Sequence, residues 1–454
     1  MPESRVEPAG DANPYSVGTL SPATVDAGQP VQAESFRYSI LTMLCGAAAV
    51  AYVQRAGLSV PAKEIAEDLA FADLAKQMGW IQSAWYFSYA LLQIPSGWFA
   101  DRYGSRRSLA MLCVVWSVAT FFAGFAQGFW SLLILWAIMG AAQAGAFPSA
   151  AKAIGQLFPD TERARASGML ASGMAVGGAI APVLTAWLLE VMTPLESALR
   201  TDRWRILLAA YAIPGLIWTG SFLFLVPDRR LPLVRQSKAA RQSIDWGRML
   251  TSGSLLLLCA QQFFRAAGMV FFMTWFPTFL QKTRGVSSLE SGVLTTIAGV
   301  GGVLGSLSGG FVSDWLLKVT GNSRLSRQGI AVVGMGICSV LIVLSWFVAD
   351  VRSSIALISL GAFCATFGGV SGYTVAIRFG GRQVATVFSA MNMCGNIGAA
   401  LFPITAGWLV ARTGNWNLIL FLFAGIMAVD SVCWAILNPR GTLFDDEEAT
   451  DGTA

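Results

Sequence analysis

The sequence predicts an all-α membrane protein of twelve transmembrane helices in two six-helix halves, and three observations carry that prediction. Of its 454 residues 55% are hydrophobic and only 13% charged, with a mean hydropathy of +0.58, so soluble domains would lack the polar surface to face water. Apolar segments long enough to cross ~30 Å of hydrocarbon fall into two groups of six around one basic stretch. Between the groups a pattern recurs: Gly177–Trp187 (GGAIAPVLTAW) and Gly398–Trp408 (GAALFPITAGW) align Gly with Gly, Pro182 with Pro403 and Trp with Trp. The fifth span therefore mirrors the eleventh.

Residues 1–35 are rich in Pro, Gly, Ser and Ala and lack the basic and apolar regions of a signal peptide, so they are expected to form a disordered cytoplasmic tail. The N-terminal half, 36–226, holds spans at about 36–58, 79–100, 107–127, 129–152, 167–191 and 205–226. The stretch 227–252 follows, with Arg229, Arg230, Arg235, Lys238, Arg241 and Arg248 against Asp228 and Asp245, and the positive-inside bias makes it cytoplasmic. The C-terminal half, 253–437, holds spans at about 253–280, 289–313, 329–349, 353–377, 384–410 and 416–437, and 438–454 is a second cytoplasmic tail. The loop Lys63–Lys76, with Glu64, Glu67, Asp68 and Asp73, suits the outer side; the basic loop 159–166 suits the inner one.

Composition also excludes. The net charge of +5 lies in loops between apolar spans and reports topology, not nucleic-acid binding. All seven cysteines sit in apolar runs, and no spacing suggests a metal site, a cofactor or an enzyme's nucleophile-base pair. There is no histidine, so any proton coupling must use carboxylates.

Between the second and third spans, Gly97-Trp98-Phe99-Ala100-Asp101-Arg102-Tyr103-Gly104-Ser105-Arg106-Arg107 packs four charges into a short turn. Gly97 allows a neighbouring helix to approach, Asp101 can face a helix N-terminus, and Arg102, Arg106 and Arg107 suit an anionic cytoplasmic surface. With Gly104, the pattern Gly-x-x-x-Asp-Arg-x-Gly-x-Arg-Arg resembles the signature of the major facilitator superfamily. Gly310 to Asp314 keeps its Gly-x-x-x-Asp core in the second half. The resemblance implies a secondary transporter working by alternating access, with a midplane site between the halves and this turn as a cytoplasmic gate.

Arg55 is the sharpest single point. A charge in the outer half of the first span costs at least ~2.5 kcal/mol by insertion scales and needs a partner or a water-filled cavity. Helical spacing puts Ala48, Tyr52, Arg55 and Ser59 on one face, and a guanidinium there suits a carboxylate or phosphate held bidentately. Outward snorkelling is the alternative. Tyr52-x-x-Arg55-x-x-Leu58-Ser59, the segment Gln93-Ile94-Pro95-x-Gly97-Trp98, Phe147-Pro148 and Trp275-Phe276-Pro277-Thr278-Phe279-Leu280 resemble the anion:cation symporter family, which moves hexuronates, aldonates and aldarates. The resemblance implies that Arg55 holds the substrate carboxylate. Proton-coupled members generally carry acids where this chain has Gln54 and Gln143, and often an arginine where it has Trp136. Glutamine cannot titrate, so exchange, export or facilitated flow is expected over that proton chemistry.

Further polar groups in the spans are candidate ligand contacts. Gln82, Trp85, Tyr86, Tyr89 and Gln93 share one side of the second span, and Asn392 and Asn396 are one turn apart in the eleventh; helix packing is the competing reading for Trp85, Tyr89 and the two asparagines. Arg265 lies in the seventh span, the counterpart of the first. With Arg55 it resembles the arginine pair of organophosphate:phosphate antiporters. Asp430 is the one acid well inside a span and a possible proton site, a structural hydrogen bond being the alternative. The expected partners are a small anionic substrate and the lipid bilayer of the inner membrane, with the chain acting as a monomer. A phosphate exchanger and a transport-like receptor are the rival functions.

Overall fold

A computed structural model describes residues 34–231, 251–380 and 384–438. Most of the two expected tails and of the expected inter-half stretch lies outside the described residues, as does the side chain of Asp101. In the first half, α1 (Glu34–Arg55), the short α2 (Ala62–Asp68), α3 (Leu74–Tyr103), α4 (Ser105–Ala123), α5 (Phe129–Gln143) with α6 (Ala146–Leu157), α7 (Asp160–Leu199) and α8 (Arg203–Leu225) make six spans. In the second, α9 (Gly253–Thr274) with α10 (Phe276–Arg284), α11 (Ser288–Thr320), α12 (Ile330–Phe347) entered by a π-helical turn at Arg324–Gly329, α13 (Val351–Gly369) with α14 (Ser371–Gly380), α15 (Val384–Thr413) and α16 (Leu418–Ile436) make six more.

Eleven of the twelve spans are long and apolar enough to cross a membrane by composition alone. The exception is α3, whose Gln82, Ser83, Ser88, Gln93 and Ser96 lower its apolarity. Three spans expected to be single helices are broken in two. The seventh breaks at Trp275 because Pro277, in the first turn of α10, has no N–H to continue the ladder of α9. Pro182 and Pro403, by contrast, stay inside continuous helices. Helix α7 overruns its expected span at both ends, since Ala-, Glu- and Arg-rich flanks remain good helix formers in water.

The internal repeat is expressed as packing. A Cβ on Gly177 would lie 2.6 Å from the Ala49 carbonyl of α1, and a Cβ on Gly398 would meet the Phe263 carbonyl of α9, so each repeat glycine seats its helix on the first helix of its own half. Gly140 of α5 does the same against α3, where a Cβ would run into the carbonyl of Trp85. Gly140→Val is therefore expected to destabilise the fold by ~1–3 kcal/mol of overpacking, read as a fall of several degrees in the melting temperature of the purified protein. An unchanged melting temperature would contradict this packing.

Charges mark the two ends of the bundle. At one, Arg203 pairs with Glu64 at 2.6 Å and Arg205 with Asp68 at 2.7 Å, while the Trp204 indole donates to Asp68 at 3.0 Å. The acids of the Lys63–Lys76 loop thus fasten α2 onto α8. At the other, basic end, Gly104 takes φ +82° and reverses the chain directly from α3 into α4, a conformation that favours glycine. There Arg106 donates to the carbonyls of Leu223 and Val226 at the end of α8 and pairs with Asp228 at 2.8 Å. Hydrogen bonding from Arg107, and then the charge of both arginines, holds the Asp228 carboxyl below its usual range. A depressed carboxylate stabilises above its unfolded value of ~3.9 and loses that contribution as pH falls through its own lower value. The melting-temperature gap between wild type and Asp228→Asn is thus expected to be the same at pH 7 and pH 5; a gap already closing at pH 5 would contradict the clasp.

Candidate ligand site and basic turn

The site is built around Arg55 at the last turn of α1. Its guanidinium carbon stands 3.8 Å from the ring centroid of Trp85, 4.2 Å from that of Tyr52 and 5.5 Å from that of Tyr89. Trp85 stacks on Tyr89 at 4.9 Å with 23° between planes, and Tyr86 meets Trp85 edge-on at 4.8 Å. Rings thus stabilise the cation by cation–π contact where no carboxylate among the described residues pairs with it, and its buried Nε has no hydrogen-bond partner. A guanidinium whose faces are occupied keeps its N–H edges for a planar anion. The side chain is half-buried among these rings and does not snorkel to the end of the bundle.

Arg55 shares a pocket with Leu58, Ser59, Gln82, Trp85, Tyr86, Trp136, Met273 and Thr274. Its free space, about 10 Å³, is on the scale of one water, so the residues close over Arg55. The buried Nε2 of Gln82 and indole N–H of Trp85 have no partner there. Met273 and Thr274 escape the sequence reading; their only signal is their place just before the break at Trp275. Trp136 adds a buried ring to the lining.

The other expected site residues fall elsewhere. Gln54 is buried in the first half and donates to the Tyr211 carbonyl of α8 at 2.6 Å; Gln143 donates to the Ala51 carbonyl of α1 at 3.3 Å. Neither lines the pocket, and the Oε1 of each is buried without a partner. Gln93 is half-buried with its Oε1 likewise unpartnered. Arg265 does not join Arg55: it donates twice to Gln262 Oε1, at 2.8 and 3.2 Å, and to the Tyr373 hydroxyl at 3.3 Å. It lies nine residues from Thr274 along α9, ~13 Å toward the basic end at ~1.5 Å per residue. Asn396 donates to the Asn392 carbonyl of its own helix, and both side chains are half-exposed in the second half.

The halves meet at the end away from the basic turn. Thr278 donates to the Ser59 carbonyl, Gln281 to the Val60 carbonyl, and the Val183 N–H to Thr296, each at 3.0 to 3.1 Å. Two glycines complete the seal in a pseudo-symmetric pair. A Cβ on Gly79 of α3 would lie 2.6 Å from the Pro403 carbonyl of α15, and one on Gly292 of α11 would lie 2.6 Å from the Pro182 carbonyl of α7. The prolines are the two that align in the repeat. At the basic end a Cβ on Gly97 would meet nothing within 4 Å, so the close helix approach expected there is absent in this state. Arg102 is exposed over the rings of Trp98 and Tyr103, and Arg106 and Arg107 are engaged by Asp228 just past the end of α8. The site is closed from the far end, and no described hydrogen bond joins the halves at the basic end.

Residues 44–377 match the family model described as "Major Facilitator Superfamily". The chain belongs to the major facilitator superfamily. It is a multi-pass membrane transporter and not an enzyme. Among curated relatives it is 28% identical to the "Probable sulfoacetate transporter SauU" of Cupriavidus necator, over 91% of this chain and 96% of that one. It is also 28% identical to the "D-galactonate transporter" of Escherichia coli, over 86% and 92%, and 28% identical to the "Hexuronate transporter" of Bacillus subtilis, over 86% and 92%. Its fold matches a solved bacterial homologue of the lysosomal transporter Spinster in an inward-facing and occupied conformation, with TM-score 0.77 and 18% identity over 89% of this chain and 97% of that one.

Proposed function

We propose that this transporter carries a small organic anion, a sugar acid such as an aldonate, aldarate or hexuronate or a comparably small carboxylate, by alternating access. The observation that carries the reading is Arg55: a cation in the pocket, stacked between Tyr52 and Trp85, without a carboxylate among the described residues to neutralise it. A ligand carboxylate would supply that charge on the free guanidinium edge, and Gln82 and the Trp85 indole offer unpartnered donors to hydroxyl groups. The relatives named for galactonate, hexuronate and sulfoacetate transport agree with such a ligand. The separation of Arg265 from Arg55 favours this reading over a phosphate exchanger gripping its ligand with both.

With both termini and the basic turn on the cytoplasmic side of the inner membrane, as the charge bias expects, the present state faces inward. The chain acts as a monomer, since one copy supplies the whole pocket. Counterflow of radiolabelled D-galactonate, D-glucarate, D-glucuronate and sulfoacetate in proteoliposomes tests the reading. Exchange with at least one of them supports it, and exchange with phosphate esters alone would replace it by the phosphate-exchanger reading.

A further inference from the structure

We propose that transport is coupled to protons, against the expectation drawn from Gln54 and Gln143, and that Asp430 of α16 is the group that takes up and releases the proton; the proposal rests on the organic-anion reading and adds a coupling site to it. Asp430 is the one acid that is fully buried among the described residues, with 0% exposure, and neither carboxyl oxygen has a hydrogen-bond partner. An ionised carboxylate left so in a membrane-embedded bundle is costly, so the group needs either a proton or a counter-charge. Gln54 and Gln143 cannot titrate, and their amides are committed to helix carbonyls. No histidine exists to relay protons.

Met427 and Phe423, one and two turns away on α16, pack on Gly268 of α9, and the Ser431 hydroxyl donates to the Val332 carbonyl of α12 at 2.9 Å. Asp430 thus sits where α16 meets α9 and α12. From α9 the charged group is Arg265, one turn before Gly268, the residue on which Met427 packs. From α12 comes the thiol of Cys338, and on α16 itself that of Cys433. The π-helical turn contributes Arg327, held by Asp314 at 2.7 Å, and exposed Arg324; α15 contributes Cys394 and Arg412, the latter lying over Trp408. In this state Arg265 is bound to Gln262 and Tyr373 and makes no hydrogen bond to Asp430.

The coupling follows from that arrangement. When the carboxyl O–H breaks and its proton passes to water in the open side of the molecule, the carboxylate left behind draws Arg265 from Gln262 and Tyr373. Reprotonation returns Arg265 to them. Gln262 borders Gly395 of α15 and Tyr373 stacks on Phe388 of the same helix, so the exchange is felt by a helix that carries the seal at Pro403.

Two measurements on the full chain test this. In proteoliposomes with D-galactonate, a gradient of about one pH unit should give about tenfold accumulation for one proton in wild type. Asp430→Asn should lose that accumulation while retaining counterflow, and Asp430→Glu should keep it with a displaced pH profile. Wild-type accumulation indifferent to the gradient, or unchanged in Asp430→Asn, overturns the proposal. Absence of D-galactonate counterflow in every variant refutes that cargo instead, and the second measurement then decides. Infrared difference spectra of lipid-reconstituted protein between two pH values should contain a carboxylic C=O band that is missing from Asp430→Asn. The same band in both proteins overturns the assignment.

Discussion

Arg55→Ala is expected to weaken binding of the transported anion by about thirtyfold or more, because truncating one partner of a buried charge pair costs ~2–5 kcal/mol. Arg55→Lys is expected to recover little of that loss. An ammonium keeps the charge but cannot lie as a plane between Tyr52 and Trp85, 4.2 and 3.8 Å from the present guanidinium carbon, while offering two parallel N–H groups. Isothermal titration with whichever anion supports counterflow checks both variants. Near-wild-type affinity in Arg55→Lys would show that only a point charge is needed and would remove the bidentate geometry from the account.

Gly79→Val is expected to stop transport by a different route. The added side chain meets the Pro403 backbone carbonyl, which has no rotamer with which to move aside, so the seal between α3 and α15 cannot close. Overpacking of ~1–3 kcal/mol shifts the balance between the two alternating states by about five- to 150-fold toward the one opened at the far end. Gly292→Val should do the same against Pro182, as the pseudo-symmetric partner. A cysteine placed at Ser59, buried in the present state, should then label with a membrane-impermeant reagent from the far end much faster in either variant than in the parent. Equal labelling rates would mean that these glycines do not gate the site.

The sequence made the twelve spans and the face of α1 legible because hydrocarbon thickness and the 3.6-residue repeat act locally. Tyr52 and Arg55 do share one side of α1, whereas Ser59 reaches the pocket from the turn beyond its end, and Trp85 and Tyr89 meet Arg55 from α3. What the sequence cannot give is which helix stands behind each face. Gln54 is adjacent to Arg55 in the chain, yet it turns to Tyr211 of α8, since successive residues on a helix point ~100° apart. Arg265 is the counterpart of Arg55 in order along the chain but lies ~13 Å along the helix from the depth of the pocket. Gly97 is read as a close-approach glycine from a motif that describes a whole cycle, whereas the structure holds one state of it, open where Gly97 stands. The Gly79–Pro403 and Gly292–Pro182 contacts join segments remote in sequence; the repeat hinted at the prolines but not at the glycines that receive them.

The most direct test of the central claim is the melting temperature of the purified protein with and without D-galactonate, D-glucarate, D-glucuronate and sulfoacetate, in wild type and in Arg55→Ala. A ligand bound to the folded state alone raises the melting point by mass action. The account predicts a rise with at least one of these anions in wild type and none in Arg55→Ala. A rise of equal size in both proteins would place the anion somewhere other than the aromatic cage around Arg55.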